Sequence, residues 1–188
     1  MQNFPFEYNG KTYWWSRSMT GVNYIFCFNY AINEWCVLAS QRGPGCSTAV
    51  GKYCVPCGYT DCNETVKETA IRETYEETGI ICLDKEVNFL FLRTNPHNKT
   101  QNYDCSFYTV FKDDVSLHPV SNANNEPNET SEIVWIPMSK IDKYDFAFGQ
   151  APVIKTVYKK YVNVSWFRKI MLKLTDYLYS KFRNPILV

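Results

Sequence analysis

Glutamate side chains are concentrated in the stretch GYTDCNETVKETAIRETYEETGI, which spans residues 58–80. Three of them, Glu73, Glu76 and Glu77, fall within an arc of about 100° if the stretch is helical. Carboxylates that converge on a partly shielded surface repel one another unless cations neutralise them. Oxygen ligands of this kind suit Mg²⁺ or Mn²⁺, which often also hold the phosphates of a substrate. The alternative is an ordinary acidic surface helix.

The same arc of the predicted helix carries small and apolar side chains, so we expect it to face a β-sheet rather than solvent. These side chains belong to Val66, Ala70 and Thr74. Glu64, Glu68 and Arg72 form a second row at a spacing of four residues, and its last step predicts a Glu68–Arg72 ion pair.

The spacing across this stretch resembles the Nudix box, Gly-x5-Glu-x7-Arg-Glu-(apolar)-x-Glu-Glu-x-Gly-(apolar). Thr74 departs from the pattern, because the family has an aliphatic residue at its position. The flanking sequences VLASQRGPG, VPCG and EIVWIP also resemble the family, with Cys57 in place of the first glycine of its Pro-Gly-Gly. The resemblance covers about residues 20–163. The matching residues are Gly58, Glu64, Arg72, Glu73, Glu76, Glu77, Gly79 and Ile80.

The resemblance implies the α/β fold of Nudix hydrolases, an α/β/α sandwich with a mixed β-sheet. It also implies an enzyme, a pyrophosphohydrolase acting on acid anhydrides, that cleaves the diphosphate linkage of a nucleoside-diphosphate-X substrate. Glu73, Glu76 and Glu77 would bind Mg²⁺ or Mn²⁺, which would activate the attacking water. The backbone carbonyl of Cys57 and the carboxylate of Glu129 would supply further metal ligands.

Two neighbouring residues would have catalytic roles by this resemblance. Arg72 would orient a glutamate, and Glu73 would be the base that takes a proton from the attacking water. A glutamate of the 121–132 loop is the alternative base, and Glu129 is the metal ligand expected from this loop in preference to Glu126 and Glu132. Glu64 would brace the loop before the helix. The chain contains only two histidines, so we do not expect catalysis built on histidine.

Candidate substrate-binding side chains lie outside the box. Trp15 and Arg17 could stack on a base and grip a phosphate. Arg42 and Arg93 end predicted strands and could contact phosphates, although surface ion pairs are the alternative for both. Pro96 lies at an offset from the box that resembles ADP-ribose pyrophosphatases of the family, whereas a simple turn proline is the alternative.

Three classes of function therefore stay open. The first is hydrolysis of a small nucleotide conjugate, such as ADP-ribose or a dinucleoside polyphosphate. The second is pyrophosphohydrolase or decapping activity on the 5′ end of RNA, because residues 155–188 carry eight Lys or Arg against one Asp. The third is a nucleotide-binding Nudix module without turnover, and the intact glutamates argue against it.

The elements that must position the glutamates alternate between strands and helices, which predicts a mixed α/β domain. A hairpin with its turn at Asn9-Gly10 comes first. The glutamate helix spans residues 65–78 and ends at Gly79. A second helical pattern starts at about residue 148. Further strands are predicted at residues 22–30, 34–42, 86–94, 103–112 and 133–137.

We expect a Nudix domain over residues 1–164, including the N-terminal strands, followed by a basic amphipathic helix over residues 165–188. This C-terminal helix would pack on the domain or on a second copy in a homodimer. Contact with an anionic membrane or with RNA is the alternative.

The composition fits a folded domain, because 45% of the 188 residues are hydrophobic. No apolar run approaches the ~20 residues that cross a bilayer, and the first residues lack a signal-peptide pattern. We therefore expect a cytoplasmic protein whose eight cysteines are free thiols. A zinc site that includes a CxxC pair is the alternative, with the ligands Cys46, Cys54, Cys57 and Cys62.

Overall fold

The computed structural model describes residues 4–15, 18–94, 103–111 and 128–163. The predicted helix over residues 165–188 lies outside this part of the chain, as do Arg17, Pro96 and the side chain of Trp15. No helix within the described ranges combines the length and apolar character that spanning a membrane requires. The strands are β1 (Phe4–Tyr8), β2 (Lys11–Trp15), β3 (Met19–Asn29), β4 (Glu34–Arg42), β5 (Tyr53–Cys54), β6 (Cys57–Tyr59), β7 (Asn88–Arg93), β8 (Tyr103–Phe111) and β9 (Thr130–Pro137). The α-helices are α1 (Val66–Thr78) and α2 (Gln150–Val157).

The first two strands form the predicted hairpin. β1 and β2 are antiparallel and pair only with each other among the described strands. Asn9 and Gly10 both have positive φ, 50° and 70°, which is the conformation that a two-residue hairpin turn requires. The rings of Phe6 and Tyr13 stack across the two strands with their centroids 5.6 Å apart.

The main sheet is mixed and is built around β3. β3 is antiparallel to β4 and β6 but parallel to β8, which in turn pairs with β7. β4 also pairs with β5 and β9. β3 and β4 pair directly only between residues 26–29 and 34–37. Beyond that point β6 pairs with β3 while β5 pairs with β4, so the segment that joins β5 to β6 lies in a fork between the two strands.

Side-chain alternation along β3 supplies two cores, one on each face of the sheet. Val22, Tyr24 and Phe26 belong to a core that also contains Ile154 and Val157 of α2. Between them, Ile25 points to the other face, where it belongs to a second core with Ala70 of α1 and Phe107 of β8. Helices therefore cover both faces of a mixed sheet, and the predicted α/β/α sandwich is confirmed.

Helix α1 begins and ends at the residues that the sequence indicates. Thr65 caps the helix, because its hydroxyl accepts from the N–H of Glu68 while the Glu68 carboxylate accepts from the N–H of Thr65. Gly79 ends the helix with a left-handed φ of 69°. The predicted Glu68–Arg72 ion pair is wrong, since Glu68 completes the capping box and Arg72 bonds to other carboxylates.

Thr74, which departs from the box, has a fully buried polar partner. The side-chain amide of Asn23, also fully buried, donates to the Thr74 hydroxyl at 3.3 Å. The Thr109 hydroxyl of β8 donates to the Asn23 carbonyl at 3.1 Å. A threonine in place of an aliphatic residue therefore joins α1 to two strands through a hydrogen-bonded network. Close packing also requires Gly21, because a Cβ there would lie 2.7 Å from the Val66 carbonyl oxygen.

Two element boundaries differ from the sequence-based expectation. β9 begins at Thr130 rather than at residue 133, because its pairing with β4 continues as far as Arg42. Helical structure starts close to residue 148 as expected, with a 3-10 turn over Ala147–Gly149, but the α-helix α2 begins only at Gln150, because Phe148 and Gly149 both adopt positive φ, 55° and 66°, which an α-helix does not contain.

Candidate active site

Glu73 is placed by the contact between α1 and β6. Its carboxylate packs directly on the Cα of Gly58, and a Cβ at that position would overlap the carboxylate. The Glu73 side chain is only 16% exposed. The first glycine of the box is therefore required by close approach: no larger residue leaves room for this carboxylate beside β6.

Arg72 forms hydrogen bonds with three carboxylates of the candidate site. Its Nη1 donates to Glu73 at 2.8 Å and to Glu76 at 2.7 Å. Its Nη2 and Nε donate to the two carboxylate oxygens of Glu64 at 2.8 and 3.1 Å, and Nη2 also donates to the carbonyl of Tyr59 at 2.9 Å. A single guanidinium thus orients two glutamates of α1 and anchors them to the preceding loop.

Electrostatics differ between the glutamates that Arg72 contacts. The Arg72 hydrogen bonds lower the pKa of Glu64 to about 2, and the backbone N–H of Asp61 adds to the effect. These carboxylates in turn raise the pKa of Arg72, with Glu64 contributing most. Burial raises the pKa of Glu73 above its usual value, although Arg72 opposes the rise. The Glu64 carboxylate is therefore ionised at neutral pH. For Glu73, the attraction of Arg72 does not fully offset the cost of burying the negative charge.

Glu77 lies at the fork between β3 and β4. Its carboxylate accepts from the hydroxyl of Ser40 on β4 at 3.4 Å and from the backbone N–H of Cys57 on β6 at 3.3 Å. Burial raises the pKa of Glu77 well above its usual range, and the neighbouring Cys54 and Glu73 add to the rise. Ionised Glu77 is thus destabilised by its surroundings unless a cation lies nearby.

The donor set of this site suits a hard divalent cation. Glu73, Glu76 and Glu77 offer six carboxylate oxygens from one helix, and the two more buried side chains carry raised pKa values. Within the described segments, no group of three His, Cys, Asp or Glu side chains already surrounds a common point. Glu73 and Glu76 are instead both bonded to Arg72.

Arg42 lies close to the fork. Burial is the main cause of the raised Glu77 pKa, and Arg42 opposes that rise, which indicates that the two charges attract each other. The Arg42 Nε donates to the carbonyl of Thr48 at 3.0 Å, and its Cζ lies 5.2 Å from the centre of the Phe148 ring. The positive charge of Arg42, at the end of β4, is therefore near enough to Glu77 to favour its ionised form.

Arg93 is engaged elsewhere in the sheet. It forms an ion pair with Asp104 of β8 at 3.8 Å, and its Cζ lies 5.7 Å from the centre of the Phe91 ring. These contacts correspond to the surface ion pair that was the alternative for this residue. The phosphate-binding role of Arg93 stays a prediction.

The remaining predicted ligands lie around the same end of the sheet. Glu129 has an exposed side chain, while its carbonyl accepts from the N–H of Gly43 at 2.6 Å and from the Cys46 thiol at 3.2 Å. The eight cysteines all lie in described segments as free thiols. The four cysteines of the alternative zinc site are not gathered around one point: Cys62 is exposed and Cys46 contacts the Glu129 carbonyl.

Sequence reasoning missed Ser40 as a partner of Glu77. Ser40 follows Leu38 by two residues on β4, so both side chains point to the face that α1 covers. Asn23 has the same relation to Ile25 on β3. A polar residue at a core-facing position of a buried strand was the available signal for both residues.

Comparisons with known proteins agree with this geometry. A family model described as the NUDIX domain matches residues 23–157. The NUDIX domain of Shewanella oneidensis NrtR complexed with ADP ribose is similar with a TM-score of 0.63, at 15% sequence identity over 77% of this chain and 88% of that one. The same NrtR has also been solved complexed with a 27mer DNA.

Two further solved structures are longer than this chain. A bifunctional NMN adenylyltransferase/ADP ribose pyrophosphatase from Francisella tularensis, complexed with AMP and Mn ion, has a TM-score of 0.60 at 17% identity, over 77% of this chain and 42% of that one. A MutT/nudix family protein from Enterococcus faecalis has a TM-score of 0.54 at 20% identity, over 64% and 43%. This chain spans less than half the length of either protein.

Identities this low show a shared fold alone, but the family match extends over more than half of the chain and contains the whole helix α1. The Gly58–Glu73 contact, the Arg72 centre and the capped helix give the same assignment from the residues upward. This chain belongs to the NUDIX family.

Proposed function

We propose that this protein is a Mg²⁺- or Mn²⁺-dependent pyrophosphohydrolase that cleaves the diphosphate linkage of a nucleoside-diphosphate-X compound, of the ADP-ribose class. The observation that carries the proposal is that Arg72 bonds to both Glu73 and Glu76 on α1, while Glu77 of the same helix accepts from the Cys57 N–H at the fork. A divalent cation would offset the cost of holding these like charges together.

Each residue of the site has a role in this proposal. Glu73, Glu76 and Glu77 would hold the cation, and the Cys57 carbonyl and Glu129 would supply further oxygens. When bound, the cation would polarise a phosphoryl oxygen and lower the pKa of a water.

The chain's own groups orient the reactants and move the proton. Arg72 keeps the carboxylates of Glu73 and Glu76 in fixed positions. Glu73 would accept the proton of the attacking water, and its bond to Arg72 holds the carboxylate in place for that transfer. Arg42, at the end of β4, attracts a phosphate of the substrate.

The choice of substrate class is supported by the neighbours. The NUDIX domain of NrtR was solved complexed with ADP ribose. The bifunctional Francisella tularensis protein is named an ADP ribose pyrophosphatase and was solved complexed with AMP and Mn ion. Hydrolysis at the 5′ end of RNA is the second hydrolase candidate, because the basic residues after position 155 would attract a polyanion. A binding module without turnover is the third candidate, since NrtR combines a NUDIX domain with DNA binding.

The test is a substrate panel with Mg²⁺ and with Mn²⁺: ADP-ribose, NADH, dinucleoside polyphosphates, nucleoside triphosphates, and capped or triphosphorylated RNA. We expect AMP to be released from ADP-ribose by the wild-type protein, and little release by Glu77→Gln. Faster turnover of RNA would establish the second candidate. Binding of ADP-ribose in calorimetry with no product from any substrate would establish the module and refute the enzyme.

A further inference from the structure

The sulfur atoms of Cys54 and Cys57 face each other across the fork. Their Sγ atoms are 3.2 Å apart, whereas a disulfide requires about 2.05 Å. Cys54 lies on β5, which pairs with β4, and Cys57 lies on β6, which pairs with β3. A bond between the two sulfurs would therefore join the two sides of the fork.

The connection between the two cysteines is held on both sides. The N–H of Val55 donates to the side-chain carbonyl of Gln150 at 2.9 Å, and the Pro56 carbonyl accepts from the N–H of Asn23 at 3.0 Å. The proline ring also restricts the backbone between the cysteines. The short distance between the sulfurs is thus imposed by α2, β3 and the turn itself.

Access to the pair is one-sided. Cys54 is 2% exposed, and Gln150 Nε2 lies 3.6 Å from its sulfur. Cys57 is partly buried, so a small oxidant would approach the pair from its side, and the two sulfurs are close enough to react with each other.

We propose that Cys54 and Cys57 are a modification site, at which a hydroperoxide forms a reversible disulfide across the fork. The Cys57 sulfur attacks one peroxide oxygen, the O–O bond breaks, and Cys57 sulfenic acid and water form when the oxidant is hydrogen peroxide. The Cys54 sulfur then attacks the Cys57 sulfur, the S–O bond breaks, and a second water leaves. Two thiols are oxidised to one disulfide while the peroxide is reduced to two waters.

The disulfide would also change the candidate active site, and this part rests on the proposed function. The Cys57 N–H is a donor to Glu77, and the Ser40 hydroxyl lies between the Cys54 carbonyl, at 3.5 Å, and Glu77, at 3.4 Å. A disulfide would covalently join the two backbone segments that hold this carboxylate and change the packing around it. We expect hydrolysis to fall about tenfold or more, since small misplacements have large effects on rate.

The modification itself is tested without any assay of activity. Trypsin releases Tyr53–Lys67, which also contains the exposed Cys62, so the test uses the Cys62→Ala variant. After treatment with hydrogen peroxide and then iodoacetamide, we expect an unlabelled peptide lighter by two hydrogen atoms, and full labelling after a thiol reductant. The matched control, Cys62→Ala with Cys54→Ser, should give no such peptide. A folded protein whose Cys54 and Cys57 both stay fully labelled after peroxide would overturn the proposal.

The effect on the site is measured separately, as hydrolysis before and after the same treatment. We expect a loss that reductant restores in Cys62→Ala, and no reversible loss in the variant with Cys54→Ser. A disulfide that forms without changing the rate would refute the link to Glu77. If no substrate is hydrolysed at all, the proposed function fails, while the peptide masses still decide the modification.

Discussion

Glu77 accepts from a hydroxyl and a backbone N–H, and burial keeps its pKa high. Glutamine at this position keeps the shape of the side chain but removes the charge that a divalent cation needs. We predict that Glu77→Gln lowers metal-dependent turnover by roughly 10²-fold or more, because a ligand worth several kcal/mol in the barrier is lost. Steady-state kinetics with Mg²⁺ and Mn²⁺ measure this effect.

Glu68→Gln is the matched control, since it changes the same residue type on the same helix. Glutamine still serves at the third position of a capping box, so α1 keeps its start. We expect its rate to stay close to that of the wild type. Equal losses of rate in the two variants would show that turnover depends on the total negative charge of α1 rather than on a ligand at position 77, and the ligand assignment of Glu77 would be wrong.

Glu64 makes the stability of the fold depend on acidity. Its pKa is about 2 in the folded protein, below the unfolded value, so its contribution is complete at neutral pH and is lost as pH falls through about 5 to 2. The Glu64 side chain is 15% exposed, so solvent screens its bonds to Arg72 only in part. We predict that Glu64→Gln lowers the free energy of unfolding at pH 7 much more than at pH 3, as measured in urea. A loss of the same size at both pH values would contradict this account of Glu64.

The residues of the candidate site were predictable where one local motif contains them. The box supplied Gly58, Arg72 and the glutamates because their spacing is fixed by a single loop and helix. Ser40 was not predictable in this way, because it reaches Glu77 from another strand, 37 positions away. The prediction of a Glu68–Arg72 ion pair was wrong because the Glu68 carboxylate can bond either to Arg72 or to the backbone at the start of α1, and it bonds to the N–H of Thr65.

At the scale of elements, α1 is joined to the sheet by buried hydrogen bonds as well as by apolar packing. We predict that Thr74→Val costs about 1–3 kcal/mol of stability, because the amide of Asn23 loses its hydroxyl partner in the core. Thr156→Val on α2 is the control: its hydroxyl also bonds to the carbonyl four residues earlier, but the side chain is exposed. Its effect should stay within about 0.5 kcal/mol. Urea unfolding compares the two variants, and similar values for both would remove the argument from the Asn23 network.

Strands and helices were largely predictable, because the alternation of side chains along β3 and β4 and the capping box of α1 depend on residues that are close together in the sequence. The strand order was not predictable from the residues alone. The parallel β3–β8 pair and the fork depend on which distant segments meet, and periodicity within a segment does not specify its partner. The late start of α2 has a local cause, the positive φ of Phe148 and Gly149: the glycine is a residue type that permits this conformation, whereas the phenylalanine gives no such signal.

At the scale of the whole molecule, removal of residues 165–188 tests the prediction that this segment packs on the Nudix domain. We predict that deleting them lowers the melting temperature by at least about 5 °C and promotes aggregation, because an amphipathic segment would leave an apolar surface uncovered. Replacing Lys169, Lys173, Lys181 and Arg183 by glutamine is the control, and it should leave the melting temperature nearly unchanged. A soluble, fully stable truncation would show that the segment does not pack on the domain.

The parallel pairing of β3 with β8 has a consequence for synthesis on the ribosome. Thr20 and Asp104, which share a 2.8 Å hydrogen bond, are 84 positions apart in the chain. β4 and β6 emerge early and cover one edge of β3, but the other edge has no partner until Phe111 has left the exit tunnel. At ordinary elongation rates, the time between the emergence of β3 and that of β8 is on the order of ten seconds. During this time β3 of the nascent chain exposes the unpaired backbone groups of that edge.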